Sequence, residues 1–300
     1  EGSSMIDEVM AIQGVDGDPV VYVNDQYLPL SQAKVSVLDR GFVFGDGIYE
    51  VVPIYHHKPF RMQEHLDRLD RSLSKIEIAA PMDRAQWQAL IDTLLSKQPP
   101  MATAMVYIQV TRGVAKRDHA FPNPPVKPTV FAMVAPMTPP GEQLRTEGVR
   151  AVSIEDIRWL HCDIKSVSLL GNVLAKQAAI KAGVEEVIQF RNGTMTEGAA
   201  CNVWMVEDGK VYGAPKDHQV LEGIRYGLFE SLCQQCGIEF LLEPISQARV
   251  NNAQELMVSS ATREVLPVVQ LDGKPVGHGK PGPVYGRLRQ AYDDCLAQLV

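Results

Sequence analysis

Gly193-Thr194-Met195-Thr196-Glu197-Gly198-Ala199-Ala200-Cys201-Asn202 sets one carboxylate among residues too small to cover it. Asn192-Gly193 is a turn pair, and β-forming runs flank it at Glu186–Phe190 and Ala200–Val206, so the stretch reads as a hairpin with Glu197 on the strand after the turn. A glutamate with such neighbours either faces solvent or is aimed at a bound ring.

Upstream, Cys162-Asp163-Ile164-Lys165-Ser166 places a lysine between a strand at Val149–Ser153 and an apolar helix over Leu169–Ala182, which Gly183 ends. A side chain at a strand-to-helix connection can face a cleft, although most lysines decorate surfaces. Downstream, helices near Ile224–Gly237 and Ile245–Ala253 bracket further short strands. Toward the N-terminus, Val20–Val23 and Tyr27–Leu30 flank Asn24-Asp25 as a hairpin, and a longer strand follows at Ile48–Tyr55. Between them, Asp39-Arg40-Gly41-Phe42-Val43-Phe44-Gly45-Asp46-Gly47 reads as an aromatic loop whose glycines permit close backbone approach. Leu66, Leu69 and Leu73 make one stripe of a helix over Met62–Ile76, a second helix covers Arg84–Leu95, and strands at Ala104–Thr111 and Thr129–Val134 complete this half. Ala135–Gly141 concentrates proline and glycine without periodicity and marks a boundary. The expected organisation is α+β in two domains: a smaller one over 5–135, a linker over 136–147 and a larger one over 148–300.

A chain of 300 residues, 45% hydrophobic and 22% charged, can bury two ordinary cores, which argues against general disorder. Its formal net charge of −7 argues against nucleic acid or an anionic membrane surface and points to small-molecule partners. No apolar run approaches the roughly 18 residues of a membrane span, and the start lacks a basic stretch followed by an apolar one, so export is not expected. Glu1–Ser4 read as an artificial leader ahead of a natural start at Met5. Five cysteines at irregular spacing suit a reducing cytoplasm. Cys233-x-x-Cys236 lies on a helical segment without the second ligand pair of a zinc site, and no metal is expected.

Four blocks in order, Asp39–Glu50, Asp163–Gly171, Thr196–Asn202 and Ser259–Pro267, make the chain resemble the fold-type IV pyridoxal-phosphate enzymes from about Val20 to Val269. That family includes branched-chain aminotransferases, D-amino-acid aminotransferases and aminodeoxychorismate lyases. The resemblance implies pyridoxal 5′-phosphate as cofactor. It also implies that Lys165 forms the Schiff base with the cofactor aldehyde and then shuttles a proton between substrate Cα and cofactor C4′. A lysine of ordinary pKa, about 10.4, is a poor base at neutral pH, so a nearby cationic ring and partial burial would have to depress it. Glu197 would keep the pyridine nitrogen protonated, so that the electron pair left at Cα drains into the ring.

By the same resemblance the phosphate would be held by Arg68 in Glu64-His65-Leu66-Asp67-Arg68-Leu69, by backbone N–H groups of Gly223 and Ile224 where a helix opens, and by the Ser260-Ala261-Thr262 loop. The plain alternative for Arg68 is an i,i+4 partner of Glu64 on a solvated face. Two positions depart from the family pattern. Arg225 in Gly223-Ile224-Arg225-Tyr226 and Ala261 stand where relatives often carry threonine, so a hydroxyl donor is missing at each.

Arg117-x-His119, after the strand ending Thr111-Arg112-Gly113, resembles the D-amino-acid aminotransferases, in which this pair and the tyrosine matching Tyr49 trap the substrate carboxylate. A guanidinium fork fits a carboxylate in geometry and charge, with His and Tyr as further donors. A carboxylate held there would turn the Cα hydrogen of a D substrate toward Lys165. The plain alternative is an exposed polar turn over Lys116–Asp118. Tyr107, Val51, His161, Cys162 and Leu221 read as packing residues, with a pocket role the second choice.

The activity implied is transfer of the amino group of a D-amino acid such as D-alanine to a 2-keto acid such as 2-oxoglutarate. The resemblance, and not the residues themselves, implies a homodimer. A branched-chain L-amino-acid aminotransferase, an R-selective amine transaminase and an aminodeoxychorismate lyase are alternatives on the same frame. A catalytically silent cofactor binder is disfavoured by the presence of both Lys165 and Glu197.

Overall fold

The computed structural model describes residues 12–299, and the reading of residues 1–4 and of a start at Met5 falls outside them. The chain divides into two compact units between Met137 and Thr138, with Ser166–Ser168 belonging to the first.

The first unit opens with β1 (Val20–Val23) and β2 (Gln26–Pro29), paired across Asn24 and Asp25, both at positive φ. There follow α1 (Arg40–Phe44), β3 (Gly47–Tyr55), β4 (Lys58–Pro59), α2 (Met62–Lys75), α3 (Arg84–Ser96), β5 (Thr103–Thr111) and β6 (Thr129–Pro136). The strands form one antiparallel sheet in the order β2-β1-β6-β5-β3-β4. Alternation along β5 buries Ala104, Val106, Ile108 and Val110 on one face and leaves Tyr107 and Gln109 half-buried on the other. α2 packs on β3 with Leu66, Leu69 and Leu73 buried, each worth roughly 1.5–3 kcal/mol. α3 begins at a capping box, in which Asp83 accepts the Gln86 N–H at 2.8 Å and the Gln86 side chain accepts the Asp83 N–H at 2.9 Å.

The aromatic stretch Asp39–Gly47 is not an open loop, because it contains the one-turn helix α1. Asp39 caps that helix by accepting the Gly41 N–H at 2.9 Å, and Gly45 closes it at φ 65. The close approach is to the protein itself, since a Cβ on Gly41 would collide with Thr111.

The second unit contains α4 (Glu142–Glu147), β7 (Val149–Glu155), α5 (Leu170–Lys181), β8 (Glu186–Arg191), β9 (Thr194–Met195), β10 (Asn202–Glu207) and β11 (Lys210–Gly213). After them come α6 (Arg225–Gln235), β12 (Phe240–Leu242), α7 (Gln247–Asn251), β13 (Glu255–Ser260), β14 (Glu264–Leu271), β15 (Lys274–Pro275) and α8 (Pro283–Ala297). The sheet runs β12-β11-β10-β13-β14-β7-β8-β9, with β15 added to β14. β7 lies parallel to both β8 and β14. A parallel neighbour needs a crossover, and α5 supplies it between β7 and β8, burying Ala175 and Ala179 against Val187 and Ala199. β10 is covered on both faces: Val203 and Met205 enter one core, while Trp204 stacks on Phe229 at 4.7 Å and donates to Ser259 Oγ at 2.8 Å.

The stretch 136–147, read as a linker, holds the end of β6 at Pro136 and α4 at Glu142–Glu147, and the unit boundary falls within it. The helix expected over Ile245–Ala253 shrinks to α7, because Ile245 accepts the Met195 N–H at 2.9 Å and Ser246 is the cap that starts the helix. All five cysteines are free thiols. Among the described residues no helix is long and apolar enough to cross a membrane.

Candidate active site

In the second unit, Lys165 is half-buried in the connection from β7 to α5. The backbone that follows it is pinned: Ser166 bridges Ile48, the Val167 N–H donates to Gly47 O at 3.0 Å, and Ser168 Oγ donates to Gly45 O at 2.9 Å.

Glu197 is 6% exposed and lies between β9 and β10, not on a strand as expected. A turn in which the Gly198 N–H donates to Cys201 O at 2.9 Å delays the strand until Asn202. The Glu197 carboxylate accepts from Arg158 Nη1 at 2.6 Å, from Asn202 Nδ2 at 3.3 Å and from the Leu221 N–H at 3.2 and 3.3 Å. Arg158 is itself oriented by Asp156, to which its Nε and Nη2 donate at 3.0 and 2.8 Å. Asp156 also accepts from Thr196 Oγ1 at 2.7 Å and pairs with Arg191 Nη2 at 3.0 Å.

Burial pushes the Glu197 carboxyl up to about 7, although Arg158 pulls the other way. Burial also opposes ionisation of Asp156, but the bonds from Arg158 and Thr196 outweigh it and hold that carboxyl at about 2. Asp156 is therefore a fixed anion, while Glu197 is balanced between its acid and base forms near neutrality. A cation placed against Glu197 favours the carboxylate. A protonated pyridine nitrogen is such a cation, so this donor and acceptor set fits the ring of pyridoxal phosphate.

Gly223 and Ile224 precede α6, whose N-terminus has no side-chain cap among the described residues, and such N–H groups suit an anion. A Cβ on Gly223 would run into Asn202 Oδ1, so glycine is what lets this backbone come so close to the Asn202–Glu197 pair. The side chain of Arg225 lies outside the described residues. Ser260, Ala261 and Thr262 lie at the tight turn from β13 to β14, where Ser260 Oγ accepts the Arg263 N–H at 3.0 Å. Leu221 enters through its backbone, a role its apolar side chain does not announce.

In the first unit, Arg68 is buried and forks onto Glu50, with Nε at 3.0 Å and Nη2 at 2.5 Å, and His65 Nδ1 lies 2.7 Å from the same carboxylate. It does not sit on a solvated face, and Glu64 instead lies 3.6 Å from Arg61. Burial opposes ionisation of Glu50, but Arg68 and His65 outweigh it and hold the carboxyl at about 2. Tyr49, one residue earlier on β3, points to the opposite face of the sheet. There its ring stacks on Tyr107 at 5.7 Å, and Tyr107 Oη donates to Gln109 Oε1 at 2.7 Å. Burial lifts the Tyr107 phenol to about 12. Tyr107 belongs to this half-buried aromatic face and not to the core.

Arg117 and His119 are exposed on the irregular chain between β5 and β6. They meet around Phe44, with Arg117 Cζ 5.1 Å and the His119 ring 5.2 Å from its centroid. The structure thus gathers Arg117 with His119, and Glu197 with Gly223 through Asn202, while Arg68 engages the sheet face opposite Tyr49. Glu50, Asp156, Arg158 and Asn202 were not assigned from sequence. Glu50 left the clearest signal, being the acid in the otherwise uncharged strand Ile48–Tyr55, where burial demands a partner.

A profile of the amino-transferase class IV family matches residues 47–271, the span that carries Lys165, Glu197 and both buried carboxylate networks. The fold and the sequence are therefore those of a pyridoxal-phosphate-dependent aminotransferase. The chain belongs to the class IV aminotransferase family. It is 42% identical over 276 residues to a D-alanine aminotransferase of Staphylococcus haemolyticus, covering 92% of this chain and 97% of that one. It is 37% identical over 273 residues to a D-alanine aminotransferase of Listeria innocua serovar 6a, covering 91% and 94%. Among solved structures it resembles a branched-chain amino acid aminotransferase of Escherichia coli at TM-score 0.87 and 24% identity, covering 93% and 95%. A second branched-chain amino acid aminotransferase, solved with pyridoxamine 5′-phosphate, gives TM-score 0.87 and 23% identity, covering 93% and 94%. At such identities the likeness of structures speaks to the fold alone. Among the described residues no cluster of side chains could hold a metal ion.

Proposed function

We propose that this protein transfers the amino group of D-amino acids such as D-alanine to a 2-keto acid such as 2-oxoglutarate, as a cytoplasmic homodimer. The observation that carries the reading is the similarity to D-alanine aminotransferases over 94–97% of their length. When bound, pyridoxal 5′-phosphate supplies an aldehyde that condenses with amines and a ring that accepts the electron pair left at substrate Cα. Lys165 is assigned the covalent hold on the cofactor and the proton at substrate Cα. Glu197, steadied by Arg158 and Asn202, is assigned the ring nitrogen, whose proton its carboxylate retains. Arg68, Arg225, the backbone N–H groups of Gly223 and Ile224, and the turn at Ser260, Ala261 and Thr262 are assigned the phosphate. Tyr49, Arg117 and His119 are assigned the substrate carboxylate.

The homodimer reading is supported by exposed apolar side chains. Leu170, Val173 and Leu174 line one face of α5, and Ile157, Trp159 and Leu160 precede Lys165, all of them exposed. Such patches mark interaction surfaces. The cytoplasmic reading is supported by five free thiols.

The test is a panel of single D- and L-amino acids mixed with the purified holoenzyme without a keto acid. D-alanine should shift the visible cofactor band to that of the pyridoxamine form, and borohydride-treated protein should carry its cofactor label on Lys165. Conversion by L-valine or L-leucine in place of D-alanine, or pyruvate release from aminodeoxychorismate, would replace the reading.

A further inference from the structure

The chain between β5 and β6 crosses from Thr111 to Thr129 without a helix or strand, a length at which loops are either functional or unstructured. This one is anchored at three points. At its start, Asp39 bridges Val114 and the Arg40 N–H donates to Gly113 O at 2.8 Å. In its middle, the Arg40 guanidinium donates from Nη1 to Asp118 O at 2.5 Å and from Nη2 to His119 O at 3.2 Å. Just beyond the middle, the Arg112 guanidinium lies 3.6 Å from the Phe121 ring centroid. Both arginines are buried, and both share Asp46: Arg40 Nε and Arg112 Nε each donate to Asp46 Oδ2 at 2.8 Å.

A buried guanidinium needs its donors satisfied, and this one spends two nitrogens on backbone carbonyls of an exposed loop, which holds those carbonyls in place. The carbonyls in question belong to Asp118 and His119, beside and at the two residues assigned to the substrate carboxylate. Phe44, the last residue of α1, lies under both of those side chains and 4.9 Å from Arg40 Cζ.

We infer that Arg40, held by Asp46 and backed by Phe44, is the positioning residue that fixes Arg117 and His119 for a substrate carboxylate. The inference rests on the D-amino-acid reading above, and it adds that carboxylate affinity is set from α1. Arg40 is buried, with its guanidinium committed to Asp46 and to the loop. Its effect reaches the reaction through the loop, so its loss weakens binding of carboxylate substrates more than it slows the bound complex.

The experiment compares holoenzyme carrying Arg40→Lys, Phe44→Leu or neither. Lysine keeps the charge beside Asp46 but has no planar fork to span Asp46, Asp118 O and His119 O together. Brief trypsin treatment with mass spectrometry reads cleavage after Lys116 and Arg117, and this should be about tenfold faster in Arg40→Lys. KM for D-alanine should rise about tenfold with kcat within about threefold and an unchanged visible cofactor spectrum, and Phe44→Leu should give about a third of that rise. Cleavage rates equal to wild type in both variants would overturn the tether. Faster cleavage with an unchanged KM, or a fall in kcat at constant KM, would overturn the positioning role. If Arg40→Lys does not fold, Phe44→Leu decides between the same outcomes. Wild-type enzyme inert toward D-alanine would sink the D-amino-acid reading, while the cleavage comparison would still decide whether Arg40 holds the loop.

Discussion

Glu50 in the first unit and Glu197 in the second are both buried carboxylates beside an arginine, yet their surroundings hold them on opposite sides of the ordinary carboxylate range. At Glu50, burial is outweighed by a two-pronged Arg68 and by His65, and the carboxyl rests at about 2. At Glu197, Arg158 offers one nitrogen only, because Asp156 has taken the other two, and burial prevails at about 7. The lesson is that an arginine's geometry matters as much as its charge. Where the fork is complete, the pair neutralises itself; where it is divided, the acid retains capacity for a further cation.

The contrast can be broken most forcefully at Glu50. Glu50→Gln leaves the buried Arg68 guanidinium without its counter-charge and should cost about 3–5 kcal/mol at neutral pH, read as a shift in the urea midpoint. A loss under about 1 kcal/mol would mean that Arg68 does not depend on Glu50 for its charge balance. Glu197→Gln should act the other way round. Turnover should fall about 100- to 1,000-fold while retention of the cofactor changes little, and a loss under tenfold would remove Glu197 from the chemistry.

The smallest effect concerns pH in the cofactor-free protein. The folded carboxyl of Glu197 titrates at about 7 against an ordinary 4.5, so the folded chain binds this proton more tightly than the unfolded one. Its contribution to stability is then fully present below pH 4.5 and fades, by up to about 3 kcal/mol, as pH rises through 7. Denaturation of wild type and Glu197→Gln at a series of pH values should show curves that separate as pH rises. Parallel curves would show that Glu197 ionises freely in the folded state.

Periodicity made most elements legible. Leu66, Leu69 and Leu73 announced α2, and the alternation from Ala104 to Val110 announced β5 with its two faces. What failed has local causes. The glycines of Asp39–Gly47 read as loop, yet Asp39 could cap a helix and Gly45 could end one, so the same residues that permit a loop specify α1. Glu197 read as a strand residue because Ala199 and Ala200 are neutral between strand and turn, and the turn at Gly198 depends on a hydrogen bond to Cys201 that composition does not encode. The roles of Lys165 and Glu197 came from the four-block resemblance, because a lysine alone more often decorates a surface and Glu197 alone could face solvent. Arg158 and Arg40 were not legible, because each does its work through partners 39 and 78 or 79 residues away in sequence.

The position of β7 bears on how the chain comes into being. Its two neighbours are β8, which follows soon after, and β14, which ends at Leu271. The strands of the first unit's sheet are all present once Pro136 has left the ribosome, so that sheet can assemble while the rest is still being made. The larger sheet cannot close around β7 until the chain has been synthesised as far as Leu271. During that interval the edge of β7 is open to pairing with the wrong strand.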